Sequence, residues 1–356
     1  QTFDVADVIG DDALVSSVRS FPGPVEAATP KHALVEYACA QRDKHAATAP
    51  DGGAHVLWSL LHLLCKFDGV LDGSVGDETA EELLNTLTRG RGEGGSEGLR
   101  SPLKSAAASA EAQHAAAKRM EALLLMGKRE AACEHAMAHG MWADALLLSS
   151  HMDAAMWRKA MARYADEALV GGSPLGTLYR LFAGGGADAE QADPAFIGDM
   201  VGEWRHNLTM MLANPTAGDT GVIARMGDRL WEAGDALAAQ CCWLLAELPL
   251  ADAENRPVTS LMFGHDCRAG GCAPPEALQA MELYAHGRAA ANPDFEATGL
   301  TPFLLLYAHT LCDLGQPARA AAYVRAVAAA PTPGGACFAA KLDELQQRLR
   351  AHGHEC

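Results

Sequence analysis

The sequence predicts an all-α chain: an irregular stack of helical hairpins preceded by a short β element. Three observations carry this reading. About half of the 356 residues are apolar yet only 6% are aromatic, and Ala and Leu dominate, which favours helices in close contact over sheet. From Lys31 onward the apolar residues recur at helical spacing instead of alternating. Finally, Gly127, Gly140, Gly234 and Gly315 are each followed five positions later by an alanine, Ala132, Ala145, Ala239 and Ala320. Each glycine can stop one helix, and each alanine lets the next helix pack closely. The intervals between these copies are unequal, so the array is not a regular tetratricopeptide repeat, whose period would be about 34 residues.

Residues 1–29 alternate apolar and polar side chains in TFDVADV and ALVSSV and then meet the rigid turn SFPGPV. They read as one or two short strands followed by a turn. Residues 30–88 form an N-terminal helical lobe, in which KHALVEYACAQ is followed by VLWSLLHLLCKF. Leu57, Leu60, Leu61 and Leu64 fall on one face of the second helix, and Trp58 with Leu63 widens that face until the helix must be buried. Residues 89–104, RGRGEGGSEGLRSPLK, are Gly-rich and charged without periodicity, as a mobile loop is. A helical body then covers 105–351, interrupted at AGGGADAEQADP (183–194) and RAGGCAPP (268–275), each of which ends on a helix-starting proline. SLMFGH (260–265) is the one further candidate for extended structure.

The balance of charge excludes several functions. Lys and Arg number 28 against 45 Asp and Glu, a formal charge of −17, which repels a phosphate backbone or an anionic lipid surface. No run approaches the ~18 apolar residues that a membrane span needs, and the N-terminus lacks the basic and apolar regions of a signal peptide. The expectation is a soluble, cytoplasmic chain. Of the ten cysteines, Cys65, Cys133, Cys241, Cys242 and Cys312 sit inside helical apolar runs, as reduced core thiols do. The chain opens at Gln1 without a Met and stops at Cys356 just after a helical run, which reads as a piece of something longer.

Catalytic constellations fail on geometry. Gly90, Gly92 and Gly95 spell GxGxxG, but no strand precedes them and Glu93 would face the pyrophosphate. Glu134, His135 and His139 give EHxxxH in place of the HExxH of zinc proteases, which leaves no glutamate placed as base. His265, Cys267 and Cys272, with His352, His354 and Cys356 at the tail, lack the paired CxxC spacing of structural zinc. No GxSxG elbow and no phosphate loop occurs. The expectation is therefore no enzyme, no catalytic residue, no metal and no cofactor, with function carried by surfaces.

Eight segments in fixed order carry a resemblance. They are SFPGPV (20–25), LWSLLHLLCKFDG (57–69), MEALLLMGKREAACEHAMAHGMWADALLLSSHMDAAMWRKAMARYA (120–165), SPLGTLYRLFAG (173–184), WRHNLTMMLANPT (204–216), MGDRLWEAGDALAAQCCWLLAEL (226–248), SLMFGHD (260–266) and PFLLLYAHTLCDLGQPARAAAYVRAV (302–327). Together they resemble the central helical domain of the COPII exit-site scaffold family Sec-sixteen. The resemblance implies an ancestral-coatomer-element fold, an irregular fold-back helical solenoid shared with a COPII cage subunit and nuclear-pore scaffolds. It also implies a non-enzymatic role in organising COPII assembly, peripheral to the endoplasmic-reticulum membrane at exit sites, with other coat subunits as partners and self-association through the helical body. In that family, N-terminal strands complete the open β-propeller of Sec-thirteen by strand addition. Carried over to this chain, the contact residues are Val5, Val8, Leu14, Val15, Val18 and Phe21, although only TFDVADV and ALVSSV precede the FPGP turn. A sister coat or nuclear-pore scaffold is the alternative within the same fold, and a metal-dependent hydrolase using His135 and His139 is the enzymatic one.

Limited trypsin digestion is expected to cut first at Arg89, Arg91 or Arg100, because a Gly-rich backbone has little side-chain packing to protect it. A first cut inside residues 142–165 would place the core elsewhere.

Overall fold

A computed structural model describes residues 13–26, 28–50, 52–71, 77–88, 102–104, 109–186, 193–250, 258–270, 273–330, 335–351 and 353–354. The described residues are helical, with no strand; the only β pairing among them is a single bridge between Leu103 and Leu169. The chain opens with α1 (Ala13–Ser20), α2 (Lys31–Thr48), α3 (Gly53–Lys66) and α4 (Asp77–Thr88). It continues through α5 (Ala110–Leu125), α6 (Arg129–Ala138), α7 (Trp142–Ser150), α8 (Ala154–Ala168) and α9 (Pro174–Arg180), then α10 (Pro194–Met200), α11 (Trp204–Ala213) and α12 (Asp219–Glu232). It closes with α13 (Ala236–Leu245), α14 (Pro275–Ala291), α15 (Thr301–Asp313), α16 (Pro317–Ala329) and α17 (Ala336–Ala351). The Gly-rich GxGxxG segment falls outside the described residues.

The helices group into two compact units, one formed by Gln1–Thr86 with Gly234–Cys356 and the other by Leu87–Ala233. The first unit is therefore discontinuous in sequence. Within it α3 packs against α2 and also against α13 and α14, and α1 lies on α14, so the start of the chain is folded back onto its last third. Leu57, Leu60, Leu61 and Leu64 are fully buried and Trp58 and Leu63 nearly so, which makes α3 the central helix of this unit. In the second unit α5 to α9 each pack on the next, around a small-residue core of Cys133, Ala136, Met137, Ala145 and Ala160. Asn207 ties α11 to its neighbours there: its Nδ2 donates to Gly172 O at 2.8 Å and its Oδ1 accepts from Thr177 Oγ1 at 2.7 Å.

The glycine–alanine punctuation is physical. Gly127, Gly140, Gly234 and Gly315 all adopt the left-handed conformation, with φ of 71°, 67°, 96° and 76°. At three of them the amide after the glycine reaches back five positions: Lys128 to Leu123 O, Met141 to Ala136 O and Gln316 to Leu311 O, at 3.0, 2.9 and 2.9 Å. This is the Schellman ending, which satisfies carbonyls that the helix leaves free. The partner alanines Ala132, Ala145, Ala239 and Ala320 are all fully buried, so each marks the contact of one hairpin arm with the next.

Two expectations of β structure are corrected. ALVSSV is not a strand but helix α1, with Val15, Ser17 and Val18 buried and Ser16, Arg19 and Ser20 exposed. Six residues are too few to separate a period of 2 from one of 3.6, and the buried i, i+3 pair Val15 and Val18 fits the helix. SLMFGH is also not extended: Val258–Leu261 is a 3-10 turn, followed by a tight turn at Gly264. The buried Gln240 of α13 folds this segment around itself, donating to Met262 O and His265 O, each at 2.9 Å, and accepting from Gly264 N at 2.8 Å.

A three-way junction joins α3, α13 and α14. Gly69, at φ 87°, brings the end of α3 so close to Gly287 of α14 that a Cβ on Gly69 would overlap the Gly287 carbonyl. Arg288, 2% exposed, fastens the contact by donating to Gly69 O at 2.8 Å, Leu244 O at 3.0 Å and the Glu247 carboxylate at 2.6 Å. Gly69→Ala combines a left-handed backbone with a clash against main chain, so urea unfolding is expected to show a loss of about 2 kcal/mol or more. An unchanged unfolding midpoint would contradict the junction.

Candidate functional site

Residues 13–25 form a strap seated on α14 and α16, and polar groups buried beneath it hold it there. α14 is the reason such groups are needed. Ala277 to Tyr284 are buried without interruption, so Gln279 and Glu282 have no exposed face and must find partners inside. Gln279 Oε1 accepts from Ser17 Oγ of the strap at 3.2 Å and from Tyr37 Oη of α2 at 2.5 Å. Its Nε2 donates to Tyr307 Oη of α15 at 2.8 Å and to Ser17 O at 3.4 Å. Gln41 extends the chain of bonds, donating to Tyr37 Oη at 2.9 Å.

One turn along α14, Glu282 accepts from Val25 N at 2.5 Å and from Tyr323 Oη of α16 at 2.7 Å. Arg319 of α16 completes the fastening. Its guanidinium donates to Val18 O, to Phe21 O at 2.5 Å and to Gly23 O at 3.3 Å, taking up carbonyls that the end of α1 leaves free. Phe21 meets Tyr37 edge-on at 5.0 Å, and Tyr307 meets Tyr323 the same way at 5.1 Å. Gly23 has no room for a side chain, since a Cβ there would run into the Tyr323 hydroxyl and the Phe21 ring.

Burial sets the protonation of this network. It pushes the Glu282 carboxyl up to about 7, against the opposing pull of the Val25 amide, the Tyr323 hydroxyl and the Arg319 charge. Burial likewise raises the Tyr307 hydroxyl to about 12 and pushes the Tyr37 and Tyr323 hydroxyls well above the ordinary phenol range. These phenols stay neutral at any physiological pH and serve as hydrogen-bonding posts, not acids.

The His135 and His139 rings lie 4.1 Å apart, but His135 Nε2 pairs with Ala116 O and His139 Nδ1 with His135 O. Glu134 is engaged by Lys159 and Arg163. His265 precedes the 3-10 turn Cys267–Ala269, which Cys267 opens, while Cys272, His352 and Cys356 lie outside the described residues. No group of three or more His, Cys, Asp or Glu suited to a metal occurs among the described residues.

Residues 120–355, more than half of the chain, match the family model for the Sec16 Sec23-binding domain. The chain belongs to the Sec16 family. It is 30% identical over 215 residues to the protein transport protein SEC16A homolog of Arabidopsis thaliana, covering 59% of this chain and 16% of that one. To the Homo sapiens protein transport protein Sec16A it is 27% identical over 348 residues, covering 87% of this chain and 14% of the relative. It thus spans a small part of the length of these Sec16 relatives. Among solved structures, a chain of the "Sec13/Sec16 complex, S.cerevisiae" superposes with a TM-score of 0.65 at 17% identity, covering 96% of this chain and 92% of that one. That likeness shows the fold, a helical domain.

Of the residues proposed for strand addition, Val5 and Val8 lie outside the described residues, and Leu14 lies within α1. Val15, Val18 and Phe21 are 3%, 1% and 2% exposed, which is a correction to their expected place on an open strand edge. Their side chains are spent inside this Sec16-family chain, and their backbone is helical or turned. Arg319, Glu282, Gln279 and Tyr37, the residues that build the strap's seat, were missed. The available signal was Gln279 and Glu282 set among Ala277, Leu278, Met281 and Leu283, two polar side chains on a helix with no polar face.

The raised Glu282 carboxyl links stability to pH. The folded chain holds this proton more tightly than the unfolded one, so the contribution is complete below the ordinary value of 4.5 and is lost as pH rises through about 7. The loss is of the order of 3 kcal/mol. Glu282→Gln keeps an acceptor for Val25 and is expected to flatten the fall in urea-unfolding stability between about pH 5 and 8; a variant with the parent's slope would assign the titration to another group.

Proposed function

We propose that this chain is a non-enzymatic scaffold domain that organises COPII coat assembly at exit sites of the endoplasmic reticulum, peripheral to the membrane, and that binds a Sec13-like β-propeller by strand addition. The observation that carries the reading is membership of the Sec16 family together with a fold match over nearly the whole chain to a protein whose solved structure is a complex with Sec13. The strap adds a structural reason. With α1 and the FPGP turn locked onto α14 and α16, the segment that supplies the added strand is the one before Ala13, where Val5 and Val8 carry the alternating pattern. Strand addition needs free backbone donors and acceptors, and helix α1 has used its own.

Other coat subunits and self-association complete the proposal. No described helix is long and apolar enough to cross a membrane, which fits attachment through partners. The sister-scaffold alternative loses ground to the family match, which extends from the α5–α8 hairpins to the end of the chain.

A version of the chain extended upstream of Gln1 is expected to co-purify stoichiometrically with a Sec13 propeller, and Val5→Pro with Val8→Pro to abolish capture while leaving the helical melting temperature unchanged. Capture unaffected by both prolines would move the contact away from this strand, and no capture by the unsubstituted chain would end the propeller assignment.

A further inference from the structure

The second unit carries a row of aromatic rings that its own fold does not use up. Trp142 opens α7, Tyr164 lies near the end of α8, Tyr179 near the end of α9, and Phe182 follows in the π turn Leu181–Gly185. Neighbouring ring centres are 5.6, 5.6 and 6.4 Å apart and the rings are tilted against one another. Trp142 rests one side on the Cys133–Met137 core. The first three rings are partly exposed and Phe182 is 46% exposed.

The polar tips separate this row from ordinary packing. Of the six tyrosines in the chain, Tyr37, Tyr284, Tyr307 and Tyr323 all spend their hydroxyls on internal partners: Gln279, Leu248 O, Gln279 and Glu282. Tyr164 and Tyr179 do not, and neither does the Trp142 indole N–H; among the described residues none of the three has a protein hydrogen-bond partner. At the Phe182 end stands Arg158, exposed and without an ion-pair partner among the described residues, its Cδ 3.5 Å from where a side chain on Gly184 would begin. The other basic groups nearby are neutralised, Arg180 by Asp166, Arg163 by Glu167 and Lys159 by Glu134.

We propose that this row is a docking site for a proline-rich segment in the polyproline II conformation, flanked by an acidic residue that pairs with Arg158. The occupant must stack flat apolar ridges on successive rings and offer acceptors to the Trp and Tyr donors. A polyproline II strand does both, because its pyrrolidine rings form ridges while its carbonyls are bonded to nothing within the strand. Its turn of ~9 Å falls within the span of two ring steps, at most about 12 Å. An amphipathic helix has consumed its own carbonyls and leaves the three donors unanswered. Stacked nucleobases suit such a row in other proteins, but they bring phosphates to a chain of formal charge −17. This site stands independently of the propeller contact, on different helices and different chemistry.

The test uses the full chain and fluorescent peptides of about ten prolines carrying two glutamates at one end or the other. Saturable binding is expected. Replacing the prolines by Gly-Ser should remove it, and replacing the glutamates by lysines should weaken it. Tyr164→Phe with Tyr179→Phe keeps both rings and removes two donors, and is expected to weaken binding about tenfold. Arg158→Gln, at an exposed position that should not disturb folding, is expected to cost about threefold and to erase the preference for glutamate over lysine. Equal binding of the Gly-Ser peptide, parent-like binding by the double Phe variant, or no binding at all would overturn the proposal. So would light scattering showing that the row pairs two copies of the chain, with a dimer that the double Phe variant dissolves.

Discussion

The first unit depends on the fact that α14 is buried on every side yet carries Gln279 and Glu282. An apolar helix in that position would pack but would not specify what packs on it. Two polar side chains there demand partners, and the partners come from far along the chain: Ser17 and Val25 from the strap, Tyr37 from α2, Tyr307 from α15 and Tyr323 from α16. A half-satisfied buried network is worse than none, so the fold-back is enforced by polar satisfaction as much as by burial of α3. Arg319 extends the same logic to backbone, since its guanidinium takes up carbonyls that a short helix and a proline-rich turn cannot satisfy alone.

This changes what the FPGP turn is for. In the sequence it looks like a rigid turn between a strand and the helices. In the structure its phenylalanine is core, its glycine is a position where no side chain fits, and its carbonyls are clamped. The second unit has a different character: one of its core clusters is built from small residues and methionines, which permit close, adjustable packing, and the row Trp142, Tyr164, Tyr179 and Phe182 sits toward the outside.

The chain by itself determined the class of architecture. Helical periodicity from Lys31, the Leu stripe of α3 and the four glycine–alanine steps depend on local backbone preference and on residues three to five apart, and these are visible in one dimension. What only the tertiary structure decided is everything that turns on distant partners. ALVSSV is too short for its period to choose between strand and helix, and α14 chose for it; SLMFGH is apolar enough for a strand, and the single side chain of Gln240 wound it into a turn. Val15 and Val18 looked available in the sequence, yet the strap that carries them is fastened to helices some 260 to 300 residues away, as the Ser17–Gln279 and Val18–Arg319 bonds show. A buried polar group announces itself in sequence only as a break in an apolar face, whereas the identity of its partner is a property of the folded chain.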